Sequence, residues 1–313
     1  MNKITVIGTG NVGATIAYTI TVMGLATDVV LIDINGEKAF GEALDIRQGV
    51  PFCPAANVYA GTYEDADNSD IVIITSGVAR KEGQSRLDLA QTNVNVIKTI
   101  APQIVKHAPN AKYIIVSNPV DVLTYAFIKY SGLPEAQVIG SGTILDTARL
   151  RSRISEYFSI NQKNVHAYIL GEHGDTAFVP WSIANISNVP VEEFAKSAVC
   201  NPELPPFDKD EVEEFVRKSG GAVIQRKGAT FYAVSISVCH LCKCLLSGID
   251  TTLTVSTMLH GEYGIYNVCL SLLTVVGSKG AHSKVALPLN DSEILALHKS
   301  AEKLKAVIKG VNI

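Results

Sequence analysis

The sequence of 313 residues is 47% hydrophobic and 18% charged, and its formal net charge at pH 7 is −3. This balance is ordinary for a globular protein of one large or two moderate domains, and it gives no support to nucleic-acid or membrane-surface binding as the main role. No apolar run approaches the roughly 18 residues of a membrane-spanning helix, and the opening MNKITVIG contains nothing resembling a signal peptide. We therefore expect a cytoplasmic protein.

The first half of the chain alternates short β-branched runs with longer amphipathic stretches. ITVIG and DVVLID are followed by helices predicted to begin near Val12 and Glu37, and three similar runs come later: DIVIIT, KYIIVS and AQVIGS. Strands that alternate with helices in this way predict an α/β protein with a doubly wound parallel sheet of the Rossmann type.

The turn after the first predicted strand carries the glycine pattern GTGNVG, which opens a helix, and an aspartate ends the next strand. Together these features form a dinucleotide-binding fingerprint, in which backbone amides approach a pyrophosphate at a helix amino terminus. The aspartate would accept hydrogen bonds from a ribose diol and repel a 2′-phosphate, so we predict NAD rather than NADP. The alternative is a glycine turn without a ligand. The predicted cofactor-binding residues of this region are Gly8, Gly10, Asn11, Val12, Gly13 and Asp33.

Beyond about Arg149 the alternation of strands and helices changes. A strand pair is predicted around VHAYILGEHGD and AFVPWSIANI, and a final helix is predicted after a capping pattern of Asn290 and Glu293. We therefore predict two domains, a Rossmann domain over residues 1–141 and an α+β domain over residues 142–313.

The cysteine-rich segment CHLCKC has a spacing reminiscent of metal ligands. A closed zinc site usually needs a second ligand pair, and no CxxC or HxxxH occurs elsewhere. The segment also lies in FYAVSISVCHLCKCLL, an apolar run of helical length, where cysteines act as small hydrophobic residues. We predict buried structural thiols and no metal site.

Two polar segments, LDTAR and GEHGD, carry candidate catalytic groups. His173 lies in a glycine-flanked turn from which it could reach a cleft, and a carboxylate such as Asp146 could fix its tautomer. Hydride transfer to a ketone requires a proton for the developing alkoxide, which His173 would supply, while the planar fork of Arg149 would bind a substrate carboxylate. The residues alone leave two other interpretations, a solvated loop histidine and a surface Asp–Arg pair.

Six motifs (GTGNVG, LIDIN, SNPVDVLTY, IGSGTILDTARLR, GEHGDT and KGATFYA) occur in an order and spacing that resemble the lactate branch of the lactate/malate dehydrogenase family. The resemblance runs from about residue 3 to the final helix. It implies that His173 is the proton donor and acceptor, Asp146 its partner, and Arg149 the carboxylate clamp. It adds Arg86, which would close over the substrate and polarise its carbonyl, and Asn118, which would lie beside nicotinamide and substrate.

The resemblance also assigns roles to the two domains and to the assembly. The second domain would carry catalysis, substrate binding and oligomerisation, and the protein would be a cytosolic homotetramer or dimer of dimers. Gly77, at the start of the loop SGVARKEGQSR, would join the cofactor-binding residues.

The loop SGVARKEGQSR departs from the lactate branch at Arg80, where that branch most often has glutamine and the malate branch typically has arginine. An arginine there pairs with the second carboxylate of oxaloacetate, and Gln84 departs in the same electrostatic direction. Thr230, in KGATFYA, follows the lactate branch. The resemblance therefore implies reduction of pyruvate to L-lactate, with reduction of oxaloacetate to malate as the alternative and a non-catalytic dinucleotide sensor as a third interpretation.

Two further positions resemble the effector-regulated bacterial members of the lactate branch. Arg151 and His166 match the pair that binds the phosphates of fructose 1,6-bisphosphate at a subunit interface in those enzymes. A basic pair repeated across a two-fold axis makes a suitable bisphosphate site. The alternative is that both are ordinary interface residues.

Overall fold

The computed structural model of the chain describes residues 2–78, 85–197 and 206–313, without the side chain of Arg86. The strands are β1 (Lys3–Ile7), β2 (Asp28–Ile32), β3 (Asn57–Ala60), β4 (Ile71–Ile74), β5 (Lys112–Ile115), β6 (Val138–Gly140), β7 (Val165–His166), β8 (Asn185–Ile186), β9 (Val189–Pro190), β10 (Thr251–His260), β11 (Tyr266–Gly277) and β12 (Gly280–Lys284). The helices are α1 (Asn11–Met23), α2 (Gly36–Gly49), α3 (Arg86–His107), α4 (Val120–Ser131), α5 (Ile144–Phe158), α6 (Val191–Lys196), α7 (Lys209–Lys227), α8 (Tyr232–Leu246) and α9 (Asp291–Gly310).

The main sheet of the described chain has the strand order β12-β11-β10-β6-β5-β4-β1-β2-β3. The six amino-terminal strands, β1 to β6, pair with one another in parallel, and β1 lies between β2 and β4. This is the strand order of a Rossmann fold, in which the direction of winding reverses beside β1. The predicted doubly wound parallel sheet is confirmed.

The strand sequences are almost wholly apolar because helices cover both faces of the sheet. On one face, side chains such as Val72 and Tyr113 pack with helices α3, α4 and α9. On the other face, Val6 and Ile73 pack with α1, α2 and α8. Because side chains alternate between the two faces along each strand, each strand contributes to a hydrophobic layer on both sides of the sheet.

The last three strands, β10 to β12, extend the same sheet in antiparallel fashion and were not predicted from the sequence. β10 meets the parallel part at Ser256, which lies opposite Gly140 of β6. An added Cβ on Gly140 would come within 2.8 Å of the Ser256 Cβ, so only glycine permits this close approach. The sheet is therefore continuous across the boundary predicted between residues 141 and 142.

The predicted strand pair after Arg149 is much shorter than expected. Val165–His166 pairs with Asn185–Ile186, and a single bridge joins Leu170 to Phe178. Gly171 instead exchanges backbone hydrogen bonds with Ser271 of β11. The segment is therefore largely a turn held against the main sheet.

The final helix, α9, begins as predicted. The Asn290 side chain accepts a hydrogen bond from the Glu293 amide, and the Glu293 side chain accepts one from the Asn290 amide. Within the described ranges, no helix combines the length and the apolar character needed to cross a bilayer.

The cysteine-rich segment lies on α8, where Cys239, Cys242 and Cys244 are buried. The Cys239 thiol donates to the carbonyl of Ile16 at 3.8 Å, and burial raises the pKa of all three thiols. Across the described chain, no group of three or more His, Cys, Asp or Glu residues is arranged to hold a metal ion. The three thiols pack α8 as protonated groups.

Candidate active site

A cavity of about 580 Å³ lies at the carboxyl ends of the parallel strands. Loops after β4, β5 and β6 form one wall, and α5, α7 and the turn that carries His173 form the other. Ligands of doubly wound sheets bind at this edge, beside the point where the winding reverses. The predicted site residues that line the cavity are Val12, Gly77, Asn118, Asp146, Arg149, His173 and Thr230.

The β1–α1 turn requires glycine at two of its positions. Gly8 has a φ of +97°, and an added Cβ would lie 2.7 Å from the amide nitrogen of Ser76. A Cβ on Gly13 would lie 1.8 Å from the carbonyl oxygen of Gly8. Both glycines therefore allow α1 to pack directly against the end of β1.

The middle glycine of the turn keeps space open in front of the α1 amino terminus. An added Cβ on Gly10 would have nothing within 4 Å. No side chain caps α1, and no acidic residue occupies its first turn, which begins at the exposed Asn11. Free amides facing open space at the positive end of a helix fit the pyrophosphate of a dinucleotide.

Asp33, directly after β2, is held beside this turn. One carboxylate oxygen accepts from the amide and hydroxyl of Thr9 at 2.6 and 3.1 Å, and the other accepts from the Asn35 amide at 2.9 Å. Partial burial acts to raise the pKa of Asp33, but these hydrogen bonds and the charge of Lys38 bring the pKa below its ordinary value. Asp33 thus carries a fixed negative charge, which disfavours a 2′-phosphate.

The second wall of the cavity contains a linked set of charged groups. His173 Nδ1 lies 2.5 Å from one carboxylate oxygen of Asp146, and Arg149 Nη1 donates to the other at 2.8 Å. Because an ionised carboxylate can only accept, the proton resides on Nδ1, which leaves Nε2 for a substrate. The His173 side chain is 28% exposed and that of Asp146 only 12%. The ring therefore reaches the cavity while its partner stays covered.

The surroundings shift the pKa values of this pair in opposite directions. Burial alone would raise the pKa of Asp146, but His173 and Arg149 hold it below its ordinary value. Burial alone would lower the pKa of His173, but the adjacent Asp146 carboxylate raises it above its ordinary value. The pair therefore favours an ionised aspartate and a histidine that readily takes up a proton.

The raised pKa of His173 predicts a pH dependence for any proton transfer made by this ring. If the site reduces a ketone with His173 as proton donor, the rate should fall as pH rises through the raised pKa, and oxidation of the alcohol should show the opposite trend. The substitution Asp146→Asn removes the main cause of the raised pKa, so the midpoint should move to lower pH. Initial rates measured across pH in both directions test this, and an unmoved midpoint would contradict it.

The turn that carries His173 is fixed by a residue that sequence reasoning did not identify. The fully buried Asp121, on α4, accepts from the His173 amide at 2.8 Å and from the Ser256 hydroxyl at 2.6 Å. Burial raises its pKa to about 6. The adjacent Glu172 amide donates to Ser300 of α9 at 2.6 Å. Contacts from elements distant in sequence thus hold the turn that carries His173 in place.

Asn93, on α3, is a second residue that was not predicted. Its side-chain nitrogen donates to the Asn118 carbonyl at 2.7 Å, and its side-chain oxygen accepts from the Val78 amide at 2.8 Å. Asn93 therefore ties together the loops after β4 and β5, which carry Gly77 and Asn118. Both loops form the same cavity wall.

Four other predicted residues have different placements. Arg80 and the side chain of Arg86 lie outside the described residues. Arg151 Nε donates to the carbonyl of Ala167 at 3.0 Å, and Ala167 directly follows the exposed His166 in the chain. Arg151 and His166 thus lie near each other on a surface separate from the cavity walls.

A Rossmann sheet with a glycine turn, together with a His–Asp pair beside an arginine, defines a dinucleotide-dependent dehydrogenase. Residues 2–140 match the family described as lactate/malate dehydrogenase, NAD binding domain, and residues 143–312 match its alpha/beta C-terminal domain. The chain belongs to the lactate/malate dehydrogenase family, and its amino-terminal part is an NAD-binding domain.

Relatives of known name resemble the chain over its whole length. An L-lactate dehydrogenase of Acetivibrio thermocellus is 44% identical over 313 residues, with 100% of this chain and 98% of the relative covered. One from Thermoanaerobacter sp. is 45% identical, with both chains fully covered. The crystal structure of the minor L-lactate dehydrogenase from Enterococcus mundtii, in a ligand-bound form, superimposes with a TM-score of 0.94 at 35% identity, covering 100% of this chain and 99% of that one.

Proposed function

We propose that the protein is an NAD-dependent L-lactate dehydrogenase that reduces pyruvate to L-lactate and catalyses the reverse reaction. The observation that carries this proposal is the convergence of His173, Asp146 and Arg149 on one cavity at the edge of an NAD-binding sheet. The relatives of the same length, at 44% and 45% identity, carry the same name. A non-catalytic sensor would have no use for a proton donor and a carboxylate clamp in one cavity.

The cofactor would be held by the β1–α1 turn, with Asp33 on its ribose and with Gly77 and Asn118 along its length. NADH, when bound, supplies the hydride. Arg149 would bind the substrate carboxylate through two parallel hydrogen bonds. Arg86 would polarise the ketone carbonyl, and Asn118 would form hydrogen bonds beside the nicotinamide and the substrate. Thr230 would contact the substrate from the segment between α7 and α8.

Proton transfer would follow from the state of the His–Asp pair. Nε2 of protonated His173 donates its proton to the substrate oxygen as negative charge develops there. The Asp146 carboxylate stabilises the imidazolium before transfer and fixes the ring afterwards. In the reverse direction, neutral His173 accepts the proton of the hydroxyl group. One histidine therefore serves both directions because its second nitrogen stays bonded to Asp146.

A second candidate substrate is oxaloacetate, which Arg80 favours. If the Arg80 side chain faces the substrate, it would pair with the second carboxylate of oxaloacetate. Beside pyruvate, which lacks that carboxylate, Arg80 would be a buried unpaired charge, and its burial would weaken binding by several kcal/mol. We favour pyruvate because the features typical of the lactate branch extend over the whole chain and include Thr230.

Initial rates with NADH, measured on pyruvate and on oxaloacetate, test the substrate preference. We expect the natural protein to prefer pyruvate and Arg80→Gln to suppress any remaining activity on oxaloacetate, because the variant removes the only proposed partner of the second carboxylate. Arg217→Gln, a change of the same kind on the cavity wall formed by α7, serves as the control for a general loss of positive charge. A natural preference for oxaloacetate would overturn the choice of substrate.

The remaining features of the proposal concern organisation. The NAD-binding domain would span residues 1–141 and the catalytic, substrate-binding and oligomerisation domain residues 142–313, in a cytoplasmic homotetramer. Arg151 and His166 would bind fructose 1,6-bisphosphate. Only Nε of Arg151 donates to the Ala167 carbonyl, so the two terminal nitrogens of its guanidinium could donate to a phosphate. A substrate dependence that is unchanged by the bisphosphate would contradict this role.

A further inference from the structure

Helix α9 lies outside the active-site cavity but contacts the turn that carries His173. Among the described residues, none of those that line the cavity belongs to this helix. Its side chains Leu297, Ala301 and Leu304 are buried in the core, and its first turn is closed by a capping box. The helix is therefore a firmly packed element to which a neighbouring turn can be anchored.

A single oxygen of α9 binds the turn on both sides of His173. The hydroxyl oxygen of the fully buried Ser300 accepts from the Glu172 amide at 2.6 Å and from the Thr176 hydroxyl at 3.1 Å. Glu172 directly precedes His173, and Thr176 follows it by three positions. Ser300 thus holds the turn at two points that flank the histidine.

The Glu172 side chain adds a second connection to the same helix. Its Oε2 accepts from the Thr176 hydroxyl and lies 3.0 Å from Lys303 Nζ. Ser300 and Lys303 are three positions apart, so both lie on one face of α9. Lys303 also lies 3.7 Å from Asp175. Three residues of the turn therefore contact one face of the final helix.

The position of the His173 ring depends on this anchoring. Nε2 must lie within hydrogen-bond distance of the substrate oxygen for proton transfer, and a misplacement of about 1 Å can cost about a hundredfold in rate. Without the Ser300 hydroxyl, the Glu172 amide would lose its acceptor. A buried amide without a partner costs free energy until it finds another one, which requires the turn to move.

We propose that Ser300 is a positioning residue for proton transfer, which sets the direction of the His173 ring from outside the cavity. The inference rests on the proposed function, because it takes His173 as the proton donor. Arg149 lies on α5 and the cofactor turn follows β1, so neither the binding of the 2-oxo acid nor that of NADH depends on this contact. Loss of the hydroxyl should therefore lower kcat and leave binding intact.

The test measures kcat and KM for pyruvate in Ser300→Ala, together with the Kd and stoichiometry of NADH binding by fluorescence titration. We expect kcat per NADH site to fall by about tenfold to a hundredfold, while KM, Kd and the number of sites per chain stay within about twofold of the natural values. A purely structural role would instead lower the number of NADH sites and leave kcat per site unchanged.

Ser235→Ala is the matched control. Ser235 is also a fully buried helical serine, but its hydroxyl donates to the Phe231 carbonyl, one turn earlier in the chain, at 2.6 Å, and it does not line the cavity. A local bond of this kind has little effect on neighbouring elements, so kcat should stay within about twofold of the natural value.

Thr176→Val is a second variant that reaches the same contact from the turn. Valine has nearly the shape of threonine but no hydroxyl, and the Glu172 amide stays bonded to Ser300. We expect kcat per NADH site to fall by roughly three- to tenfold, between the control and Ser300→Ala. Thr176→Val decides the question if Ser300→Ala does not fold.

The outcomes separate this inference from the proposed function. If the natural protein reduces pyruvate and kcat per NADH site in Ser300→Ala falls no further than in Ser235→Ala, the positioning role is overturned and the proposed function stands. A loss that appears only in KM contradicts the positioning role as well. Absence of turnover by the natural protein on both pyruvate and oxaloacetate overturns the proposed function, and the positioning role with it.

Discussion

In the His173→Gln variant, kcat for pyruvate reduction is expected to fall by roughly 10²–10⁴-fold, the usual contribution of a positioned general acid. Glutamine can still donate a hydrogen bond to the substrate oxygen, but it cannot give up a proton. Among the described residues, no hydrogen bond joins His173 to the glycine turn from Gly8 to Gly13, which is proposed to hold the cofactor, so the Kd for NADH should remain unchanged. Stopped-flow or steady-state loss of NADH absorbance measures kcat, and fluorescence titration measures the Kd.

A second His–carboxylate pair provides the control. His282 Nε2 lies 3.1 Å from Asp250, and neither residue lines the cavity. His282→Gln removes a histidine with a similar partner and should leave kcat within about twofold of the natural value, since surface pairs contribute little. Near-full turnover in His173→Gln would show that another group supplies the proton.

The second large effect is expected for Arg149→Lys. Lysine keeps the positive charge beside Asp146 but cannot offer two parallel donors to a carboxylate. Loss of one charge-assisted hydrogen bond costs about 3 kcal/mol at most, which corresponds to roughly a hundredfold in kcat/KM. We expect most of this loss to appear as a raised KM for the 2-oxo acid, with the KM for NADH little changed.

Arg153→Lys is the matched control on the same helix. Arg153 lies one turn after Arg149, and its ion pairs are with Glu156 and Glu211, outside the cavity walls. This variant should retain both KM values. Equal losses in the two variants would indicate damage to α5 rather than loss of substrate binding.

Local sequence was sufficient for the parts of the site that depend on local geometry. The glycine turn and Asp33 could be predicted because a tight β–α turn and a nearby acid have their physical roles within about 30 consecutive residues. His173 and Asp146 are 27 residues apart in the sequence, and they lie 2.5 Å from each other in the structure. The sequence offered this contact only as a hypothesis, which the family resemblance strengthened.

Residues whose roles arise from distant neighbours could not be predicted. Asp121 appears in the sequence as one more acid in a helix, and only the fold brings it to the His173 amide, 52 positions away. Asn93 contacts loops at Val78 and Asn118. Buried polar contacts of this kind depend on tertiary packing, which periodicity does not encode.

The antiparallel strands β10 to β12 were missed for a related reason. Long apolar strands and buried helical segments cannot be separated by periodicity alone. The pairing of β10 with β6 depends on the absence of a side chain at Gly140, where an added Cβ would be too close to Ser256, a residue more than a hundred positions away.

The continuity of the sheet through β6 and β10 has a consequence for dissecting the protein. If the two halves were produced as separate polypeptides, each would have an unpaired edge strand, β6 in the first half and β10 in the second. Exposed edge strands pair with strands of other chains and so promote aggregation. The halves should therefore be insoluble when made alone and soluble when made together, because each supplies the missing neighbour of the other.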